Sequence, residues 1–234
     1  MSQITNVALP ERRAERRVKD CAAPTQRGSV PIVPIVIGVI AVLALVAIFL
    51  GMSNSDSKDN DGGAIEYGTV VVDGANLVSL PAEGPDPAKG KLAPTIEGTN
   101  FSGEPTVIAP GPARAIVFLA HWCPHCNAEA PRLVDFLENE GIPDGTALTI
   151  VTTSSNKDAP NWPPSKWVKE VGLGAVETLV DDKSGSAAAA MGVSGFPFIV
   201  LLDAEGNVIE RDSGEQPEGY FAEAFALLLE KSSA

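Results

Sequence analysis

Twenty-three consecutive residues without a charge, Val30 to Met52, constrain the arrangement of everything else in this chain. They include the unbroken apolar run Val39 to Leu50. As a helix the stretch is about 34 Å long, enough to cross a hydrocarbon core of roughly 30 Å. Pro31 and Pro34 stand at its start, where a helix accepts proline. No polar stripe is present that would suit a buried helix of a soluble domain. The apolar run is longer than the roughly 7–15 residues of a cleaved signal peptide, no A-x-A pattern follows it, and Cys21 lies before it rather than after. The expectation is an uncleaved signal anchor with a single transmembrane helix.

Charge sorts the two sides of that span. The whole chain carries 17 basic and 30 acidic residues, a net charge of −13. Residues 1–29 hold six basic and three acidic groups, so the remainder carries a net −16. Arginines before the span favour a cytoplasmic N-terminus and export of the acidic body. The acidic balance argues against nucleic-acid binding, which needs a surplus of lysine and arginine. With 44% apolar and 20% charged residues the chain can build a core. Three cysteines are too few for a disulfide-stapled scaffold.

The expected organisation is therefore a cytoplasmic basic tail over 1–29, the anchor over 30–52, an extracytoplasmic linker over 53–90 and a folded domain over 91–234. Within the linker, Val70 to Val72, Asp73-Gly74 and Leu77 to Leu80 read as a small hairpin. Pro81 to Gly90 reads as a Pro/Gly connector. In the domain, Ala115 to Leu119, Leu148 to Thr152 and Phe198 to Leu202 are continuous apolar runs that fit buried strands. Thr178 to Val180 and Val208 to Arg211 are shorter strands. Pro124 to Glu140, Ser165 to Val171 and Glu218 to Lys231 read as helices, with a helical turn over Ser186 to Met191. This alternation predicts an α/β fold, a mixed central sheet flanked by helices.

The chemistry lies in Trp122-Cys123-Pro124-His125-Cys126, where a buried strand gives way to a helix. Two cysteines separated by two residues can close a disulfide across a first helical turn. Cys123 falls at the helix N-terminus, where unpaired N–H groups favour a thiolate, the attacking species in disulfide exchange. His125, when protonated, adds positive charge beside it. Zinc is disfavoured, because there is no second C-x-x-C and the only histidines are His121 and His125. Cu(I) held by Cys123, Cys126 and a histidine remains a chemical alternative. Trp122 is read either as a hydrophobic contact flanking the dithiol or as a core residue. Trp162 and Trp167 are expected to staple their loop.

These residues resemble the thioredoxin superfamily. The strand followed by Trp122 to Cys126 is joined by Gly192-Val193-Ser194-Gly195-Phe196-Pro197-Phe198, which looks like the family's cis-proline loop. Leu92-Ala93-Pro94, the single anchor and the segment Trp162 to Trp167 are similar to the exported TlpA/ResA-like branch, whereas Pro124-His125 between the cysteines is similar to the DsbA oxidases. The resemblance covers about 91–234. It implies a thioredoxin-like fold with Cys123 as nucleophile, Cys126 as resolving thiol, Pro197 in the cis form, and Phe196 and Trp122 against an extended protein substrate. It implies no metal or organic cofactor, and recharging by a membrane partner, either a DsbD- or CcdA-like electron carrier or a quinone-coupled oxidant.

Two departures stand out. The buried acid that thioredoxins commonly place six residues before the first cysteine is Val117 here. Glu129 is either its substitute or a solvated carboxylate, and solvation is the expectation. Ala120 replaces the threonine that peroxiredoxins place three residues before their reactive cysteine, which disfavours peroxidase chemistry. The function expected is a membrane-anchored extracytoplasmic thiol–disulfide oxidoreductase, in the reductive direction and suited to cytochrome c maturation. The alternatives are a disulfide-forming oxidase and a Cu(I) carrier. A monomer is the simplest expectation.

Overall fold

The buried strand predicted before the dithiol forms the middle of the sheet. The computed structural model describes residues 63–232. Strand β4 (Ala113–Leu119) is buried along its whole length. It pairs in parallel with β5 (Thr146–Thr152) and antiparallel with β7 (Phe198–Leu202). Strand β6 (Glu177–Val180) extends the sheet parallel to β5, and β8 (Val208–Ser213) closes the other side antiparallel to β7. Beyond β6 lies a small antiparallel set, in which β2 (Thr95–Thr99) pairs with both β1 (Val71–Asp73) and β3 (Pro105–Ile108).

Side-chain alternation divides the core between the two faces. Ala115, Val117 and Leu119 of β4 join Ile150, Ile199 and Leu201 on one face. Helices α1 (Pro124–Asn139), α2 (Pro164–Glu170) and α4 (Tyr220–Ser232) cover that face with Leu133, Phe136, Trp167, Phe225 and Leu228. Ile116 and Phe118 point the other way, into a core with Ile96, Ile108, Leu179, Phe198, Val200 and Met191. Helix α3 (Ser186–Ala190) lies on that second side. A strand covered on both faces has no polar side to display, which explains the continuous apolar runs. Fully burying one Phe or Ile contributes roughly 1.5–3 kcal/mol.

The segment before residue 91 departs from the expected linker and hairpin. Val71 to Asp73 pairs with β2, not with Leu77 to Leu80. Leu77 and Leu80 instead donate their amides to the carbonyls of Ala190 and Gly192, at 2.8 and 3.1 Å. Leu77 is buried. Asp86, in the expected connector, pairs with the fully buried Arg211 side chain at 2.9 and 2.5 Å. The Arg211 guanidinium holds the Asp86 carboxyl below the usual range. The hairpin fails because β2 and α3 offer these residues backbone partners and apolar surface that a solvated two-stranded ribbon lacks. Gly192 is obligatory at this crossing: its φ is +68°, and a Cβ there would lie 2.6 Å from both Arg211 Nη1 and the Val78 carbonyl.

Among the described residues no helix is long and apolar enough to cross a membrane. The basic tail, Cys21 and the 30–52 span lie outside the described residues.

Candidate functional site

Helix α1 begins where β4 ends, and Cys123 is its N-cap residue with Pro124 at the first helical position. Proline suits that position because its missing N–H would have no intrahelical acceptor. Both cysteines are free thiols. Cys123 is 6% exposed and Cys126 is fully buried. The Cys123 thiol donates to the Phe196 carbonyl at 3.6 Å. The Phe196–Pro197 peptide is cis, as the resemblance implied. Residues 73 positions apart thus form one site, the dithiol on a helix start and the cis-proline loop facing it.

The two sulfurs have different surroundings. Burial pushes the Cys126 thiol far above the usual range, although the Ala120 amide donates to its Sγ at 3.4 Å and opposes that shift. Deprotonating Cys126 therefore needs a nearby base. Glu129, one turn further along α1, is 1% exposed, against the expectation of a solvated carboxylate. Its Oε2 accepts from the Gln216 amide at 2.9 Å and from Arg132 Nη1 at 3.1 Å. Its Oε1 is buried with no hydrogen-bond partner among the described residues. Burial raises the Glu129 carboxyl above its ordinary value, against the pull of those two donors. A signal for this burial was present in the sequence. Cys126, Glu129, Ala130 and Leu133 follow the i, i+3, i+4, i+7 spacing of one helix face.

The two histidines differ as well. His121 is 1% exposed. Its Nδ1 meets the Pro160 carbonyl at 2.7 Å and its Nε2 meets the Asn156 amide at 3.1 Å. A carbonyl can only accept and an amide can only donate, so Nδ1 carries the proton and the ring is neutral. Burial holds its pKa below the ordinary value. His125 has an exposed side chain and places Nδ1 2.5 Å from Oε1 of Glu215, in the loop after β8. The Cu(I) alternative required an imidazole beside the two sulfurs. His121 has both nitrogens engaged elsewhere, and His125 is drawn to a carboxylate.

Around His121 the loop 154–162 is tied to α1. Asn127 donates to the Cys123 carbonyl at 2.8 Å, and its Oδ1 accepts from Trp167 Nε1 at 2.9 Å. Asn161 donates to the His121 carbonyl at 2.9 Å. Trp162 packs edge-on to His121, and the Trp162–Pro163 peptide is also cis, a feature the sequence reading did not anticipate. Trp162 and Trp167 thus staple the loop as expected. Trp122 is half-buried, donates to the Ser154 carbonyl at 2.7 Å and lies perpendicular to Phe196 at 6.4 Å, so it flanks the dithiol rather than filling the core.

A strand, a dithiol at a helix start and an opposing cis-proline loop match a known family over most of the described chain. The Redoxin family model covers residues 90–228. The chain belongs to the Redoxin family. It is similar to the thiol:disulfide interchange protein DsbE of Haemophilus influenzae, at 26% identity over 149 residues, which is 64% of this chain and 75% of that protein. Among solved structures it resembles a thiol:disulfide interchange protein of the thioredoxin family from Chlorobium tepidum, with a TM-score of 0.50 and 24% identity over 61% of this chain and 98% of that one. StoA from Bacillus subtilis aligns with a TM-score of 0.47 and 18% identity over 59% of this chain and 98% of that one. The chain is a thiol–disulfide oxidoreductase with a thioredoxin-like fold.

Proposed function

We propose that Cys123 and Cys126 exchange disulfides with protein substrates on the exported side of a membrane to which the chain is anchored through residues 30–52. The observation that carries the assignment is the Cys123 thiol, 3.6 Å from the Phe196 carbonyl of the cis-proline loop, with Cys126 buried one turn behind it. A backbone edge at that distance can seat an extended substrate by strand addition. The uncharged span and the arginines before it support the anchor and its orientation.

In the reductive direction the Cys123 thiolate attacks a substrate disulfide. The substrate S–S bond breaks, a mixed disulfide forms, and one substrate thiolate leaves and is protonated. Cys126 then gives its proton to Glu129 and attacks Cys123 Sγ. The Cys123–Cys126 disulfide forms and the second substrate thiol departs. The substrate gains two electrons and two protons: the dithiol gives both electrons and, by way of Glu129, the Cys126 proton, and solvent supplies the proton that the Cys123 thiolate lacks. A DsbD- or CcdA-like membrane carrier would restore the dithiol.

The reductive reading rests on the single anchor and the TlpA/ResA-like resemblance, and it is supported by the pairing of His125 with Glu215, which opposes the stabilisation of a Cys123 thiolate. Thiol delivery for cytochrome c maturation suits that direction. The oxidative reading, with a quinone-coupled oxidant as partner, rests on Pro124-His125. Equilibration of the full-length chain against glutathione separates the two. A potential near about −270 mV is expected for the reductase, and one near about −120 mV would make the protein an oxidase. In the same assay Cys123→Ser should reduce disulfide exchange to the uncatalysed background; retained exchange would overturn the assignment.

A further inference from the structure

The contact between His125 and Glu215 lies outside the exchange steps above, yet it bears on their energetics. His125 stands two residues after Cys123 on α1, and its Nδ1 is 2.5 Å from Glu215 Oε1. Glu215 comes from the loop between β8 and α4, 90 residues away. Its other oxygen lies 3.4 Å from Arg132 Nη1, and the same guanidinium nitrogen meets buried Glu129 at 3.1 Å. The next residue, Gln216, places its amide on Glu129. The charged and titratable groups around His125 are therefore Glu215 from the loop, with Cys123, Arg132 and Glu129 from α1.

We infer that Glu215 is a positioning residue of the exchange reaction: it holds His125 in an ion pair and thereby sets the redox poise of the Cys123–Cys126 couple. Opening that disulfide takes up two electrons and, with Cys123 left as thiolate, one proton. The reduced site then carries one negative charge that the oxidised site lacks. A cation nearby stabilises the reduced form and makes the disulfide more oxidising. Glu215 cancels the cation that Pro124-His125 supplies. The bond from His125 also holds the Glu215 carboxyl below its ordinary range, with Arg132 adding to that effect. When His125 is protonated the pair is a neutral unit beside the dithiol, and a motif similar to that of strong oxidases then loses the cation that would make its disulfide oxidising. This rests on the dithiol assignment made above.

The test uses the full-length chain carrying Cys21→Ser, equilibrated with glutathione and its disulfide at pH 5.5 and 7.5. Glu215→Gln should move the equilibrium roughly three- to tenfold toward the reduced protein relative to the parent. The gain should be larger at pH 5.5 than at pH 7.5, because imidazole is the side chain whose charge changes across that interval. Glu215→Asp should restore the parent value within about twofold. In Glu215→Gln/His125→Ala the pH-dependent part of the gain should vanish. A purely structural latch would lower the melting temperature without this pH-dependent redox shift. An unchanged equilibrium in Glu215→Gln, or a gain whose pH dependence survives removal of His125, overturns the inference. If the parent forms no reversible Cys123–Cys126 disulfide, the dithiol assignment fails instead.

Discussion

His121 and His125 stand four residues apart on the two flanks of one dithiol, and the fold gives them opposite work. His121 is buried, neutral and bonded through both ring nitrogens to the backbone of the 154–162 loop. His125 is exposed and paired with a carboxylate brought from the far end of the domain. On the first flank the partners are fixed dipoles in a closed network, and proton exchange would cost the network its acceptor. On the second flank they are charges near water, whose strength follows pH and salt. One side of the site is therefore built for shape and the other for tuning.

Removing His121 should break the comparison most severely. His121→Leu leaves the Pro160 carbonyl and the Asn156 amide without their partner and disturbs the edge-on contact with Trp162. A loss of about 2–3 kcal/mol in unfolding free energy is expected, read from the denaturant midpoint. The pH dependence has a definite sign. Burial lowers the folded-state pKa of His121 below its unfolded value, so the unfolded chain binds more protons between the two. The stabilisation from His121 is complete above about pH 6.5 and declines as pH falls toward the folded pKa. The advantage of the parent over His121→Leu should shrink between pH 7.5 and pH 5. An advantage that grows on acidification would contradict the neutral-ring assignment.

The same flank contains a smaller test. Trp167 is 3% exposed and donates to Asn127 Oδ1 at 2.9 Å. Trp167→Phe keeps an aromatic ring in the core and deletes the donor. The expected cost is about 1 kcal/mol, because Asn127 Oδ1 keeps a second donor in Asn161. The redox equilibrium should not move. If it does, the neutral network also tunes the dithiol, and the division between shape and tuning fails.

What the sequence revealed follows the same division between local and distant causes. The strand, the dithiol and helix α1 are contiguous, so their apolar periods and the proline after Cys123 were sufficient to place them. Helix α1 ends within one residue of its expected boundary, and β7 matches it. Strand β2 was missed because Thr95-Ile-Glu-Gly-Thr99 buries only Ile96, which leaves no alternation to detect. The strap over 77–90 was missed because its apolar positions are few and its anchor, Asp86, meets an arginine 125 residues later. Glu129 was misread despite its place on the Cys126 face of the helix, because a loop near residue 216 supplies the donor that makes burial tolerable. Glu215 had no local signature at all. An acid in a Gly-Glu-Gln-Pro turn reads as solvated surface until folding brings it to His125.

The smallest effect on stability, and the sharpest on the comparison, belongs to His125→Ala. The side chain is exposed, so its ion pair with Glu215 adds little to folding once solvent screening is counted. The melting transition should stay close to that of the parent. The redox equilibrium should still move, by roughly threefold or more toward the oxidised protein. Glu215 would keep only the Arg132 guanidinium, which it shares with Glu129, so the site near Cys123 would become more negative, and added negative charge disfavours the thiolate of the reduced site. The direction is opposite to that expected for Glu215→Gln, because the two changes remove opposite charges from one neutral pair. Parallel shifts in the two variants would mean that loop geometry, rather than charge, links this flank to the dithiol. His121→Leu should show the reverse proportion, a large loss of stability with little change in redox equilibrium. Two imidazoles four positions apart can differ in this way because one makes its bonds where water is excluded and the other where water competes.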